Sequence, residues 1–129
     1  MFILLADDDY LFGLRLREML AAAGHCVTIV HDGFELERKS RQVRPDAVLL
    51  DIAMPRRGGL EALRSIREDG GLADVPVIAI TARRDTALLD CALSSGVHAV
   101  LSKPIDDEQL RQAIAGLAPR PCMEWSDAA

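Results

Sequence analysis

Residues 47–51 read AVLLD, four apolar residues in succession that stop on an aspartate. The run is too short for a helix and does not alternate apolar with polar. It therefore predicts a strand buried on both faces, as in a parallel sheet covered by helices. Before it, Gly33–Val43 is polar and predicts an exposed helix, and Cys26–Val30 is β-branched and predicts a strand. Tyr10–Ala23 carries Leu11, Leu16, Met19, Leu20 and Ala23 at helical spacing, with Asp9 as its N-cap and Gly24 as its stop. Phe2–Ala6 is a first apolar strand. After Asp51 come a loop at Ile52–Gly58, a helix over Gly59–Glu68 stopped by Gly70–Gly71, and a strand over Val75–Ile80. A helix over Arg84–Ser95 closed by Gly96, a strand over Ala99–Leu101 and a helix over Asp106–Gly116 complete the series.

Five strands and five helices thus alternate strictly. That order predicts an α/β fold, a doubly wound five-stranded parallel sheet of flavodoxin-like order 2-1-3-4-5, with its site beyond the carboxyl ends of the strands. The polar residues fall at those ends. Strand 1 runs into Asp7 and Asp8, strand 3 into Asp51, strand 4 into Thr81 and strand 5 into Lys103. One polar residue at a strand end is ordinary loop chemistry. Three carboxylates brought to one edge repel each other unless a cation offsets them, and an oxygen-only ligand set suits a hard ion such as Mg²⁺. A hydroxyl and an ammonium facing such a cluster make a receptor for a phosphoryl group. No glycine-rich nucleotide loop is present, so the acceptor is a carboxylate acting as nucleophile, and Asp51 is the best placed.

The 129 residues fit one domain, and a hydrophobic share of 50% suits an ordinary globular core. A net charge of −5 disfavours a direct nucleic-acid binder. No apolar run is long enough for a membrane span, and the acidic residues after MFILLA rule against a signal peptide, so a cytoplasmic protein is expected. Cys26, Cys91 and Cys122 match no metal or redox spacing and predict reduced, partly buried thiols; His25, His31 and His98 lack ligand spacing. Thirteen of the 15 basic residues are Arg, so Lys103 is one of only two Lys, the other being Lys39 on the polar helix.

The stretches ILLADDD (3–9), AVLLDIAMPRRGGLEALRSIR (47–67), VIAITA (77–82) and GVHAVLSKP (96–104) together resemble the receiver domain of two-component response regulators, of the single-domain chemotaxis type. The resemblance covers about residues 1–116, leaving 117–129 as a flexible tail. It implies that Asp51 accepts a phosphoryl group from a phosphohistidine on a sensor histidine kinase or phosphotransfer protein. It also implies that the domain catalyses its own phosphorylation and dephosphorylation. Asp8 would bind Mg²⁺ directly and Asp7 through water, with Asp51 and the carbonyl of Ala53 as further ligands. Thr81 would take a phosphoryl oxygen, Lys103 would pair with the phosphoryl group, and the Lys103–Pro104 bond would be cis. Pro55 and Gly59 match the family's loop and helix-start positions. Output would pass to a protein target through the fourth helix, fifth strand and fifth helix, roughly 84–116, with Leu88, Leu89 and Val100 as candidate contacts.

Departures from the family pattern are also legible. Val100 stands where the family usually has an aromatic switch residue, and Arg56–Arg57–Gly58 replaces the usual loop. Ala53 and Arg83 flank the phosphoryl position, where they would set how water reaches it. Trp125, the sole Trp, lies in the tail. Two competing readings follow. One is a phosphorylation-independent pseudo-receiver, favoured by Val100. The other is a hydrolase of the haloacid-dehalogenase type built on Asp7–Asp8–Asp9, Thr81, Lys103 and Asp106–Asp107, which leaves Asp51 without a role.

Overall fold

In a computed structural model, which describes residues 1–52, 54, 58–69, 72–81, 90, 91 and 93–117, the apolar runs form one parallel sheet. Its strands are β1 (Phe2–Ala6), β2 (Cys26–Val30), β3 (Ala47–Asp51), β4 (Val77–Thr81) and β5 (Ala99–Ser102), in the spatial order β2-β1-β3-β4-β5. The expected order is the observed one. Register pairs Ala6 with both Val30 and Leu50, Asp51 with Ile80 and Thr81 with Ser102. The carboxyl ends of β1, β3, β4 and β5 therefore finish level with one another.

Successive side chains of a strand point to opposite faces, and the core divides accordingly. Leu4, Ala6, Val48, Leu50 and Val77 face α2 (Gly33–Val43) and α3 (Gly59–Glu68), where Leu36, Leu63 and Ile66 meet them. Ile3, Leu5, Ala47, Leu49, Ile78 and Ile80 face α1 (Tyr10–Ala22) and the C-terminal helix (Asp107–Ala115), against Leu16, Leu20, Leu110 and Ile114. Each large side chain so buried stabilises the fold by roughly 1.5–3 kcal/mol before entropy is counted. Leu117, beyond the C-terminal helix, is buried in the second cluster.

Several expectations shift on local grounds. The fourth strand begins at Val77 rather than Val75, because the Val75 N–H closes a turn onto the Leu72 carbonyl and Pro76 has no N–H. Asp106 is the N-cap of the last helix, its Oδ1 accepting from the Gln109 N–H at 2.7 Å, and not its first residue. In α1 the buried stripe is Gly13, Leu16 and Leu20, while Leu11, expected on that face, is 76% exposed. The polar helix α2 is exposed on one side only; it buries Leu36 and Ser40, and Arg41 reaches Asp69 beyond α3 at 3.2 Å. Cys26 and Cys91 are free thiols but exposed rather than partly buried. Of the helix expected at Arg84–Ser95, the residues Asp90, Cys91, Leu93 and Ser94 are helical. Gly96 closes it with φ +86, as Gly24 closes α1 with φ +95, conformations that favour glycine. Arg84, Leu88 and Leu89, the stop at Gly70–Gly71, and residues 118–129 of the expected tail, with Cys122 and Trp125, lie outside the described residues.

Candidate functional site

The strand ends deliver their polar residues to one point. Asp7 follows β1 directly, Asp51 closes β3, Thr81 closes β4 and Lys103 follows β5. Carboxylate oxygens of Asp7, Asp8 and Asp51 lie within 4.8 Å of one another. The Lys103 Nζ sits 3.1 Å from Asp7 Oδ2 and 3.2 Å from Asp51 Oδ2. Asp7, Asp51 and Thr81 are buried, while Asp8 is exposed and forms the open side of the cluster.

The backbone holds these groups in place. Asp7 Oδ1 accepts the Asp9 N–H at 2.8 Å, and Asp9, as the N-cap of α1, accepts the Phe12 N–H at 3.1 Å. The acidic triplet is therefore tied into the first turn of a helix. The Lys103 N–H donates to the Thr81 carbonyl at 2.8 Å, which joins the ends of β4 and β5. The Lys103–Pro104 peptide is cis, as expected. Asp51 is fixed from behind by Gly59. A Cβ at Gly59 would stand 2.5 Å from the Asp51 carbonyl oxygen and 2.7 Å from Ile52 Cα, so α3 starts this close to β3 only because residue 59 has no side chain.

Burial pushes the Asp7 carboxyl up to about 6, with the neighbouring Asp51 charge adding to the rise and the Asp9 N–H and Lys103 opposing it. Burial would lower the Lys103 ammonium, but Asp51 and Asp7 outweigh it and its pKa is raised. Lys103 is thus a permanent cation at neutral pH, facing a cluster it does not fully neutralise.

The family model of the response regulator receiver domain matches residues 3–115. The chain belongs to this receiver family. The response regulator MprA of Mycobacterium ulcerans is 36% identical over 127 residues, covering 98% of this chain and 54% of the relative. The response regulator protein PmrA of Pseudomonas aeruginosa is 39% identical over 118 residues, covering 92% of this chain and 52% of the relative. The chain thus spans about half the length of these curated relatives. Among solved structures, the receiver domain of the sensor histidine kinase PA1611 from Pseudomonas aeruginosa superposes with a TM-score of 0.83 at 31% identity, over 92% of this chain and 98% of that one. That structure has a magnesium ion coordinated in its active-site cleft. Vibrio cholerae CheY4 superposes with a TM-score of 0.85 at 23% identity, over 90% and 97% of the two chains, and shares the fold. The haloacid-dehalogenase reading falls with this membership.

The receiver site fits a divalent cation on its own geometry. Asp7 Oδ2 is buried and, although near the Lys103 ammonium, has no hydrogen-bond partner among the described residues. Three carboxylates meet one ammonium there, and all the donors are hard oxygens. Ala53, whose carbonyl the resemblance adds to the set, lies outside the described residues, as do Pro55, Arg56, Arg57 and Arg83.

Two further residues of this receiver escape a reading by strand ends. The Phe12 ring lies under the Lys103 ammonium, 4.3 Å from Nζ to centroid. Its spacing to Leu16 and Leu20 was the signal available. Arg67, on α3, donates to the carbonyls of Ala73 at 2.9 Å, Val75 at 2.6 Å and Gly96 at 3.0 Å, clamping the approach to β4 and the turn before β5. No local pattern announces it. Val100 packs with Val97 and Leu60 on Ile52 and Ala79, filling its place as an ordinary half-buried side chain. Among the described residues of 84–116, Leu93 is an exposed large hydrophobic at 59%.

Proposed function

We propose that Asp51 is the phosphoacceptor of a phosphorelay and that this receiver passes the signal on by switching protein–protein contacts. The observation that carries the reading is the convergence of Asp7, Asp8 and Asp51 within 4.8 Å, with the Lys103 ammonium 3.2 Å from Asp51. In the reaction an Asp51 carboxylate oxygen attacks the phosphorus of a phosphohistidine. An O–P bond forms as the P–N bond breaks, and the electron pair stays with the imidazole nitrogen of the donor. Hydrolysis reverses the state: a water oxygen attacks the same phosphorus, the Asp51 O–P bond breaks with its electron pair returning to the carboxylate, and inorganic phosphate leaves as the water gives up a proton to solvent. The domain is a switch that promotes both steps on itself. Asp7, Asp8, Asp51 and the Ala53 carbonyl would hold Mg²⁺, whose chemistry here is to neutralise charge on the phosphoryl oxygens. Lys103 holds a further phosphoryl oxygen as a fixed point charge, and the Thr81 hydroxyl, at the end of β4, donates to another.

The donor is a sensor histidine kinase or phosphotransfer protein. Exposed Tyr10 and Leu11, next to the acidic triplet, suit an apolar protein contact there. Output runs through the region of residues 84–116, among whose described residues Leu93 is an exposed apolar candidate. Among the described residues no helix is long and apolar enough to cross a membrane, which supports a cytoplasmic setting. Val100 favours a second reading, a binding module whose output ignores phosphorylation. One experiment separates them: incubation with acetyl phosphate and Mg²⁺, followed by intact mass of the wild type and Asp51→Asn. The wild type is expected to gain one phosphoryl mass and the variant none. A wild type that stays unmodified supports the second reading and overturns the first.

A further inference from the structure

We propose that Phe12 is a positioning residue for Lys103, its ring fixing the ammonium between the carboxylates of Asp7 and Asp51. The proposal deepens the phosphorelay reading and rests on it for its kinetic consequence. The Lys103 side chain is long and flexible, and a free lysine spreads over many rotamers. Here Nζ lies 4.3 Å from the centroid of the Phe12 ring, well inside the range in which a ring face attracts a cation. The ammonium is then held on three sides, by Asp7 Oδ2 at 3.1 Å, Asp51 Oδ2 at 3.2 Å and the ring.

The ring suits the task because it accepts no conventional hydrogen bond. It attracts the charge without taking N–H donors away from oxygen acceptors, so the ammonium keeps them for carboxylate and phosphoryl oxygens. Phe12 is also tied to the acids it serves. Lys103 pairs with Asp7; Asp7 accepts the Asp9 N–H; Asp9 accepts the Phe12 N–H; and the Phe12 ring returns to Lys103. That closed circuit makes one rigid segment, the first turn of α1, set the distance between the cation and the acidic cluster.

Phe12 also packs on the core beneath α1, so the test must separate positioning from packing. Phe12→Leu keeps an apolar side chain and removes the ring face; Phe12→Tyr keeps the face. With acetyl phosphate and Mg²⁺, Phe12→Leu is expected to slow formation of the Asp51 adduct about two- to thirty-fold, and Phe12→Tyr to restore the rate. In a Lys103→Met background, Phe12→Leu is expected to add no further loss, because its effect passes through the ammonium. Proton NMR gives a readout independent of turnover: the ring should shield the Lys103 Cε protons in the wild type and Phe12→Tyr, and the shift should vanish in Phe12→Leu. Unshielded Lys103 protons in the wild type, an unchanged rate in Phe12→Leu, or a loss that persists without Lys103 would each overturn the proposal. If the wild type takes up no phosphoryl group, the phosphorelay reading fails, and the shielding alone decides whether Phe12 positions Lys103.

Discussion

Asp7 shows how far one residue's chemistry departs from its type. A carboxyl group buried beside Asp51 is held at about 6, against an ordinary value of 3.8. The folded state therefore binds this proton more tightly than the unfolded chain does. Its contribution to stability is full below pH 3.8 and is lost as pH rises through about 6, a difference on the order of 3 kcal/mol. The expected outcome is read as a difference, so that other carboxylates cancel. In metal-free buffer, the stability of the wild type relative to Asp7→Asn should fall between pH 4 and pH 7, as chemical denaturation would measure. A flat difference would show that burial does not hold the proton. The same site explains why the acidic triplet was legible and its inequality was not. Three adjacent Asp are plain in the sequence, yet one is buried, one is exposed and one caps α1, and only packing assigns those roles.

At the scale of elements, the contact that matters most is the approach of α3 to the end of β3. Gly59→Ala places a methyl group 2.5 Å from the Asp51 carbonyl oxygen, a backbone atom that cannot turn aside. The expected cost is about 1–3 kcal/mol of stability, together with weaker metal-dependent phosphorylation, because the displaced strand end carries Asp51. Gly58→Ala is the control. Its added carbon meets nothing nearer than Glu61 Oε1 at 3.7 Å, and it should cost no more than about 1 kcal/mol. Thermal midpoints and adduct yields of the two variants check this; equal behaviour would remove Gly59 from the account of the site. The glycine itself was visible at a helix start. The reason for it was not, because the clashing atoms belong to a different element.

For the whole molecule, the sheet brings like charges together and the fold must carry their repulsion. A ligand that binds only the native cluster stabilises the native state by mass action, by about 2.7 kcal/mol at a hundredfold excess over its Kd. Saturating Mg²⁺ is therefore expected to raise the melting midpoint by several degrees, at about 3–6 °C per kcal/mol for a domain of this size. Asp8→Asn, which removes the exposed carboxylate of the cluster, should lose most of that rise while folding normally without the ion. Calorimetry with and without Mg²⁺ decides it. A midpoint indifferent to Mg²⁺ would count against Asp7 and Asp8 as metal ligands.

By itself the sequence determined the alternation of elements, the parallel sheet and its order. It also determined the level at which Asp7, Asp51, Thr81 and Lys103 emerge. Those features follow from short-range patterns: continuous apolar runs such as AVLLD, helical spacing, and caps such as Asp9. The tertiary structure decided what spans long separations. Lys103 meets Asp51 across 52 residues and Asp7 across 96, and Arg67 reaches Gly96 across 29. It also turned Leu11 to solvent and Phe12 toward Lys103, adjacent residues a single helical step apart. Periodicity places a residue on a helix, but the neighbours that pack against that helix select which side is inside. A site made where four strand ends meet is set by those neighbours.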